Sequence, residues 1–112
     1  MTVSYAEFSK LDIRVGVVKS AELIPKSRNL MKLQVDVGDV APRQIVAGLQ
    51  AHYTPETLVG KKVVVLVNLA PRKLMGIESQ GMLMAADVNN APFLLEVDET
   101  KVKDVPAGAK IH

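Results

Sequence analysis

The sequence contains no cysteine and few aromatic residues. Its 112 residues include no Trp, two Tyr and two Phe. The absence of cysteine excludes a disulfide framework, a thiol nucleophile and a thiolate-bound metal, and it suits the cytoplasm. The scarcity of aromatic side chains argues against a site that stacks single-stranded bases on aromatic rings.

Long apolar runs and catalytic motifs are also absent from the sequence. No apolar run approaches the roughly 20 residues of a membrane span, and the N-terminal segment lacks the pattern of a signal peptide. His52 and His112 belong to no metal-ligand pattern, and no glycine-rich loop matches a phosphate-binding fingerprint. We therefore expect a chain that is not an enzyme, with no cofactor, no metal site and no membrane partner.

Charge is unevenly distributed along the chain. The formal net charge is +2, yet residues 10–73 carry eleven Lys or Arg against five Asp or Glu. Residues 74–112 carry three Lys or Arg against six Asp or Glu. A localised basic surface is typical of proteins that bind a polyanion, but a solvated surface of mixed charge explains the same distribution equally well.

Apolar periodicity predicts β-strands over most of the chain. Alternation of apolar and polar residues predicts a long first strand from Asp12 to Ile24, within which Gly16 permits a bend. Further strands are predicted for residues 30–37, 43–49 and 63–67. The chain is therefore expected to be all-β.

Two short helices are predicted between these strands. Ser4 is a suitable N-cap for a helix that contains Glu7, and Thr54 with Pro55 marks the start of a second helix between the third and fourth strands. A short helix at that point is the layout of the five-stranded OB-fold barrel, which binds oligonucleotides and oligosaccharides.

The whole chain, residues 1–112, is expected to form a single domain. Residues 1–11 would hold the N-terminal helix, and residues 12–88 would form the OB-fold barrel. Residues 89–112 would form a strand-rich C-terminal extension, which is apolar enough to need a partner.

The stretch Asn68–Ala86 is the most informative part of the chain. An apolar strand leads into it, and Arg72 and Lys73 follow where that strand ends. A polar loop then lies between Gly76 and Gly81, and a single apolar strand is predicted to carry the chain back. A basic edge held by rigid strands is typical of a binding site.

Several segments of the chain resemble the tRNA-binding domain family. They are residues 8–16, 35–38, 45–48 and 68–73, the last followed by Gly76, Ser79, Gly81 and Met82. The family includes the C-terminal domain of many methionyl-tRNA synthetases, free-standing dimeric tRNA-binding proteins and the chaperone CsaA. The resemblance implies an OB-fold, recognition of tRNA by shape more than by sequence, and a homodimer built through the C-terminal extension.

RNA binding needs cations for phosphate groups and polar or apolar contacts for unpaired bases. The predicted RNA-binding residues are Arg28, Lys32, Arg43, Asn68, Arg72, Lys73, Ser79, Gln80 and Met82. The residues predicted to shape the backbone are Pro71, Gly76 and Gly81. Structural alternatives stay open for these side chains, since polar groups also cap loops and turns and a strand methionine is usually buried.

The predicted dimer interface consists of apolar residues of the C-terminal extension, namely Phe93, Leu95, Val97, Val102 and Ile111. The expected function is non-catalytic tRNA binding by a cytoplasmic homodimer, with an aminoacyl-tRNA synthetase as a further partner. One alternative is a CsaA-like chaperone that binds peptides on the same fold. Another is a docking module of a larger synthetase, although Met1 suits a free-standing protein or an introduced start.

Overall fold

The computed structural model describes residues 1–101 and 104–112, and these residues form strands and two short helices. The elements in chain order are α1 (Tyr5–Phe8), β1 (Ile13–Leu23), β2 (Met31–Asp36), β3 (Arg43–Ala47), α2 (Pro55–Leu58), β4 (Lys62–Leu66), β5 (Arg72–Leu74), β6 (Ile77–Ser79), β7 (Met82–Leu83), β8 (Ala85–Val88), β9 (Ala91–Leu94) and β10 (Lys110–Ile111). Within these described ranges, no helix is long and apolar enough to cross a membrane.

Five strands form one antiparallel sheet that curls into a nearly closed barrel. Their order is β3-β2-β1-β4-β7, and β10 pairs with β1 beside this path. The long β1 is shared between neighbours, since its first half pairs with β4 and its second half with β2. Because β1 pairs with different neighbours along its length, it allows a small sheet to close on itself. The predicted all-β, OB-like fold is therefore confirmed.

Gly16 makes room inside the barrel. A Cβ atom at this position would lie 2.6 Å from Cγ1 of Val35 and 2.7 Å from Cγ2 of Val65. The register of β1 shifts further along, between Val18 and Ser20. Gly16 therefore permits Val35 and Val65 to pack closely against β1. The bend that the sequence led us to expect at Gly16 is replaced by the register shift between Val18 and Ser20.

Aliphatic side chains from the barrel strands and α2 fill the core. The buried cluster consists of Val18, Met31, Leu33, Val35, Val37, Ile45, Leu49, Leu58, Val63, Val65, Val67 and Leu83. The short α2 contributes Leu58, which has no exposed surface, and the Gly60 amide that follows donates to the Val18 carbonyl at 2.8 Å. Helix α2 therefore packs against β1 and buries its one large apolar side chain in the barrel.

The barrel closes between β3 and the end of β6 through individual hydrogen bonds. The Gln80 amide donates to the Gln44 carbonyl at 2.7 Å, and the Gln44 amide donates to Oε1 of Gln80 at 3.2 Å. The Gln44 side chain donates to the Glu78 carbonyl at 2.8 Å. The Val46 amide donates to Oγ of Ser79 at 3.0 Å. Side chains thus complete the pairing that a regular ladder would otherwise supply.

Two parts of the stretch Asn68–Ala86 differ from the sequence prediction. The segment predicted as a polar loop between Gly76 and Gly81 contains β6, which pairs as a hairpin with β5, the strand that contains the predicted basic residues before Gly76. The predicted single return strand is divided at Met84, whose amide donates to Val64 while its carbonyl accepts from Leu95. Strand β8 then pairs with β9 in a separate two-stranded sheet. The last strand of the barrel path, β7, therefore ends before the expected boundary at residue 88.

The C-terminal segment returns to the first half of β1. The Gly108 amide donates to the Val15 carbonyl at 2.8 Å, and the Val15 amide donates to the Ala109 carbonyl at 2.9 Å. A Cβ atom on Gly38 would lie only 2.8 Å from Cα of Gly108, and both glycines have positive φ angles, 86° and 89°. Two glycines are therefore needed where this segment crosses the turn between β2 and β3.

Candidate nucleic-acid interface

The β5–β6 hairpin projects from the barrel and carries two of the predicted RNA-binding cations. Its turn consists of Met75 and Gly76, which have φ angles of 50° and 77°. Positive φ at both central residues is typical of the two-residue turns that match the twist of paired strands. Arg72 and Lys73 lie on β5, and both are exposed. Within the described part of the chain, neither forms a salt bridge.

Ser79 lies inside the protein, where the sequence predicted a ligand-facing side chain. It is 4 % exposed, its hydroxyl accepts from the Val46 amide at 3.0 Å, and it donates to the Gly81 carbonyl at 3.2 Å. Gln80 is engaged in a similar way, because its side-chain oxygen accepts from Gln44. Both residues therefore join the hairpin to β3.

Asn68 connects the end of β4 to the N-terminal segment. Its Nδ2 donates to the Lys10 carbonyl at 2.7 Å, and its Oδ1 accepts from the Asp12 amide at 2.9 Å. The two ends of the amide group are thus occupied by backbone partners. These contacts are the backbone cap that the sequence offered as one of two roles for Asn68, and its role toward RNA stays a prediction.

Arg43 fixes the segments on either side of the hairpin. Its Nη1 donates to the Val67 carbonyl at 2.9 Å and to the Gln80 carbonyl at 3.2 Å, and its Nη2 lies 3.4 Å from Asp39. Because its guanidinium is occupied in this way, Arg43 shapes the edge that Arg72 and Lys73 occupy.

Asp39 extends this contact into a charged network. Arg14 forms hydrogen bonds with Asp12 and Asp39, so its guanidinium holds the pKa of each carboxyl below its usual value. The same carboxylates raise the pKa of Arg14. Lys110 of β10 lies 3.5 Å from Asp12. The network therefore joins β1, the β2–β3 turn and the C-terminal strand.

The remaining predicted cations differ in their surroundings. Lys32 lies 2.8 Å from Glu22, its neighbour on β1, so its charge is partly neutralised. Arg28 is exposed in the loop between β1 and β2, and the structure shows no ion pair for it within the described residues. Among the described residues, Arg28 is thus exposed and without an ion pair, as Arg72 and Lys73 are, whereas Lys32 is paired with Glu22.

A groove of about 350 Å³ lies beside the hairpin. Arg72 and Met82 line it together with Asn29 of the β1–β2 loop. A smaller recess of about 100 Å³ shares Arg72 and Met82 with this groove and adds Ser79 and Gly81 to the lining. Gly81 has a φ of 148°, and a Cβ atom there would lie 3.0 Å from the Leu66 carbonyl. Arg72 and Met82 are therefore the predicted residues whose exposed side chains line both the groove and the smaller recess.

Gln50 was not predicted from the sequence, although it holds the β1–β2 loop in place. Its Nε2 donates to the Leu30 carbonyl at 2.6 Å and to the Ser27 carbonyl at 3.1 Å, and its amide donates to the Asn29 carbonyl at 3.1 Å. No local pattern marks such a residue, because its partners lie 20 and 23 positions earlier.

A family model described as "Putative tRNA binding domain" matches residues 13–110. The chain belongs to this family. The match contains the barrel, the hairpin and the β1–β2 loop, so the groove lies within the part of the chain that defines the family.

Proteins similar in sequence to this chain include a methionine–tRNA ligase of Methanosarcina mazei, which is 47 % identical to it over 110 residues. The alignment covers 98 % of this chain and 15 % of the ligase, so the chain spans a small part of such relatives. Among solved structures, a MetRS-related protein of Pyrococcus horikoshii superposes with a TM-score of 0.88 at 41 % identity, covering 100 % of this chain and 99 % of that one. The chaperone CsaA of Bacillus anthracis superposes with a TM-score of 0.86 at 27 % identity, covering 100 % of both chains.

Proposed function

We propose that this chain is a non-catalytic module that binds tRNA through the β5–β6 hairpin and the adjoining groove. The observation that carries the proposal is that Arg72 and Lys73 are both exposed on β5, in a hairpin that is fixed to the barrel of a tRNA-binding family member. Phosphate contacts need cations that are not neutralised by the protein itself. Arg28 on the β1–β2 loop adds a third such cation.

The other predicted residues take supporting roles in this proposal. Arg43, Asn68, Ser79 and Gln80 fix the backbone around the hairpin through the contacts described above. Met82 is 44 % exposed and offers an apolar surface within the groove. The rigid barrel therefore presents a small number of accessible groups in a fixed arrangement, which suits recognition of a folded RNA by shape.

We further propose that the active form is a homodimer joined through the C-terminal extension. Phe93 and Leu95 are 55 % and 44 % exposed, and the neighbouring Val88 is 53 % exposed. Such a concentration of exposed apolar side chains is typical of an interaction surface. Val97 and Ile111 are half-buried, and Val102 lies outside the described residues. A monomer at micromolar concentration in size-exclusion chromatography with light scattering would contradict the dimer.

The kinship with methionine–tRNA ligases supports a role beside an aminoacyl-tRNA synthetase, in the cytoplasm where tRNA is charged. The chain would raise the local concentration of tRNA for the catalytic partner, and two copies in a dimer would provide two contacts for one RNA. Copurification of the chain with a methionyl-tRNA synthetase, and a lower KM for tRNA when both are present, would support this role.

A chaperone that binds apolar peptides is the second candidate, and the likeness to CsaA favours it. Salt dependence separates the two functions. Binding of RNA weakens linearly on a log–log plot against salt, with a slope of about 0.7 to 0.9 per phosphate neutralised, whereas apolar peptide binding lacks this dependence.

The decisive experiment measures the affinity for unfractionated tRNA at several salt concentrations. Arg72→Ala/Lys73→Ala is compared with Lys10→Ala/Lys19→Ala, which removes the same charge from exposed residues outside the groove lining. We expect Arg72→Ala/Lys73→Ala to weaken tRNA binding and to reduce the slope of the log–log salt plot by roughly 1.5, because two phosphate contacts are lost. Equal effects of the two pairs would show that only net charge matters. Absence of wild-type binding at low salt would favour the peptide function.

A further inference from the structure

We propose that the 350 Å³ groove accepts a single unpaired nucleobase of the bound RNA. This inference rests on the proposed tRNA-binding function and adds a second kind of contact to it. The hairpin cations would hold phosphate, and the groove would receive one base that has left its stack. The RNA must then present an unstacked base at a defined distance from the phosphates bound by Arg72.

The groove lies where four segments of the chain meet. They are the β1–β2 loop, the end of β3 with the residues that follow it, the β5–β6 hairpin and the β7–β9 region. The lining residues are Asn29, Leu30, Val46, Ala47, Gly48, Leu49, Arg72, Leu74, Met82, Leu83, Ala85, Pro92 and Leu94. Most of this lining is apolar, and it contains no carboxylate within the described part of the chain. The surface is therefore suited to a flat, largely apolar group attached to an anionic backbone.

Two polar side chains contribute to this apolar lining. Asn29 approaches from the β1–β2 loop, and Arg72 approaches from the hairpin. An amide group presents one donor and one acceptor in a plane, which is the arrangement that pairs with the edge of a base. A guanidinium binds phosphate oxygens in bidentate fashion. The two groups therefore match the two ends of a nucleotide, the base edge and the phosphate.

The backbone beneath Asn29 holds its amide at the groove. A Cβ atom on Gly48 would lie 3.0 Å from Nδ2 and 3.1 Å from Oδ1 of Asn29, so the amide group packs directly on the glycine. Gln50 fixes the same loop through its bonds to the carbonyls of Ser27, Asn29 and Leu30. The Asn29 side chain has no hydrogen-bond partner of its own among the described residues, so its donor and acceptor remain available to a ligand.

Size and charge favour a single nucleobase over a base pair or an apolar peptide side chain as the occupant of the groove. A volume of about 350 Å³ is near the lower limit of small-ligand sites and too small for a base pair with its two strands. An apolar peptide side chain would leave the Asn29 amide without a partner once water is displaced, which is unfavourable. Lys26 and Arg28 are exposed on the same loop as Asn29, and like Arg72 they suit a polyanion.

The apolar surface replaces the aromatic platform that many OB-folds use. Leu74 of β5 and Met82 of β7 border the groove, and Met82 is flexible and polarizable enough to adapt to a base face. Leu94 is held beside them because its amide donates to the Tyr53 hydroxyl at 3.1 Å. The scarcity of aromatic residues in this chain is therefore compatible with capture of one base, though not with stacking along a single strand.

The test compares two RNA ligands with two variants. The ligands are unfractionated tRNA and a fully paired RNA duplex with a similar number of phosphates. Asn29→Ala removes the amide, and Gly48→Ala retains the amide but displaces it by a few tenths of an ångström. Gly48 has no positive φ, so alanine is compatible with its backbone. Thermal unfolding of both variants checks that the fold is intact.

We expect Asn29→Ala to weaken tRNA binding by about 5- to 150-fold, the effect of one base-edge pair, and Gly48→Ala to weaken it in the same direction. Duplex affinity should not change, and the slope of the log–log salt plot for tRNA should stay as in the wild type, because no phosphate contact is lost. Equal losses for tRNA and duplex, a reduced salt slope, or unchanged tRNA binding in both variants would overturn the inference.

The outcome also separates this inference from the proposed function. If wild-type protein binds tRNA in a salt-dependent way and Arg72→Ala/Lys73→Ala loses that binding, the proposed function stands whatever Asn29→Ala does. If wild-type protein binds no tRNA at low salt, both proposals fail. If an apolar peptide competes with tRNA for the groove and its affinity falls in Met82→Ala while tRNA affinity does not, the groove belongs to the peptide.

Discussion

Ser79→Ala provides a direct test of how the hairpin is joined to the barrel. The Ser79 hydroxyl accepts from the Val46 amide at 3.0 Å, and Ser79 is 4 % exposed. Without the hydroxyl, the buried Val46 N–H on β3 has no partner, and water has little access to it. Leaving one buried donor unsatisfied costs about 1 to 3 kcal/mol. We therefore expect Ser79→Ala to lower the free energy of unfolding by that amount.

Chemical and thermal denaturation measure this effect. For a domain of about 100 residues, 1 kcal/mol corresponds to roughly 4 °C or more in Tm, so a decrease of about 4 to 12 °C is expected. The urea midpoint should fall while the m-value stays the same, because the surface exposed on unfolding does not change. Ser20→Ala is the matched control, since Ser20 is exposed on β1 and should shift stability by less than about 0.5 kcal/mol.

A Ser79→Ala variant as stable as the Ser20→Ala control would refute this reasoning. That result, combined with a loss of RNA affinity, would return Ser79 to the ligand-facing role that the sequence first indicated. A loss of stability with near-normal RNA affinity at a temperature where the variant is folded would support the structural role.

Three further perturbations test other parts of the fold by urea denaturation. Leu58→Ala should cost about 2 to 5 kcal/mol, because Leu58 is fully buried between α2 and the barrel; a smaller loss would mean that the barrel end collapses around the gap. Gly38→Ala should destabilise the protein, because its Cβ would lie 2.8 Å from the backbone of the C-terminal segment at a positive φ; unchanged stability would show that this crossing is loose. Asp12 and Asp39 have folded-state pKa values lowered by Arg14, below the unfolded value of about 3.9, so their stabilising effect should be complete above about pH 4 and lost as pH falls through the folded values. The acid-induced decrease in the urea midpoint should be smaller in Arg14→Leu, and an identical pH profile would contradict that assignment.

Much of the fold is encoded in patterns that lie close together in the sequence. The alternation of β2 reappears as alternating buried and half-buried residues from Met31 to Asp36, and a helix does begin at the predicted Pro55 with Thr54 as its N-cap. These features depend on side-chain periodicity and on backbone preferences of single residues. Neighbouring residues therefore suffice to predict them.

The roles of individual site residues depend on partners that are distant in sequence. Ser79 meets Val46 across 33 positions, and Asn68 meets Asp12 and Lys10 across 56 and 58 positions. A polar side chain near two glycines predicts a turn or a ligand contact equally well until its partner is known. The β5–β6 hairpin was missed for a related reason, since each strand has only three residues and shows no clear alternation.

The position of β10 has a consequence for synthesis of the protein on the ribosome. Strand β10 completes the pairing at the beginning of β1, where Ile13 pairs with Ile111, although most of the chain separates the two strands. An unpaired strand edge is a site where chains aggregate. At roughly 5 to 20 residues per second, the start of β1 waits on the order of 5 to 20 s before residues 110–111 are made. During that interval this edge of β1 has no partner from its own chain and is open to pairing with another nascent chain.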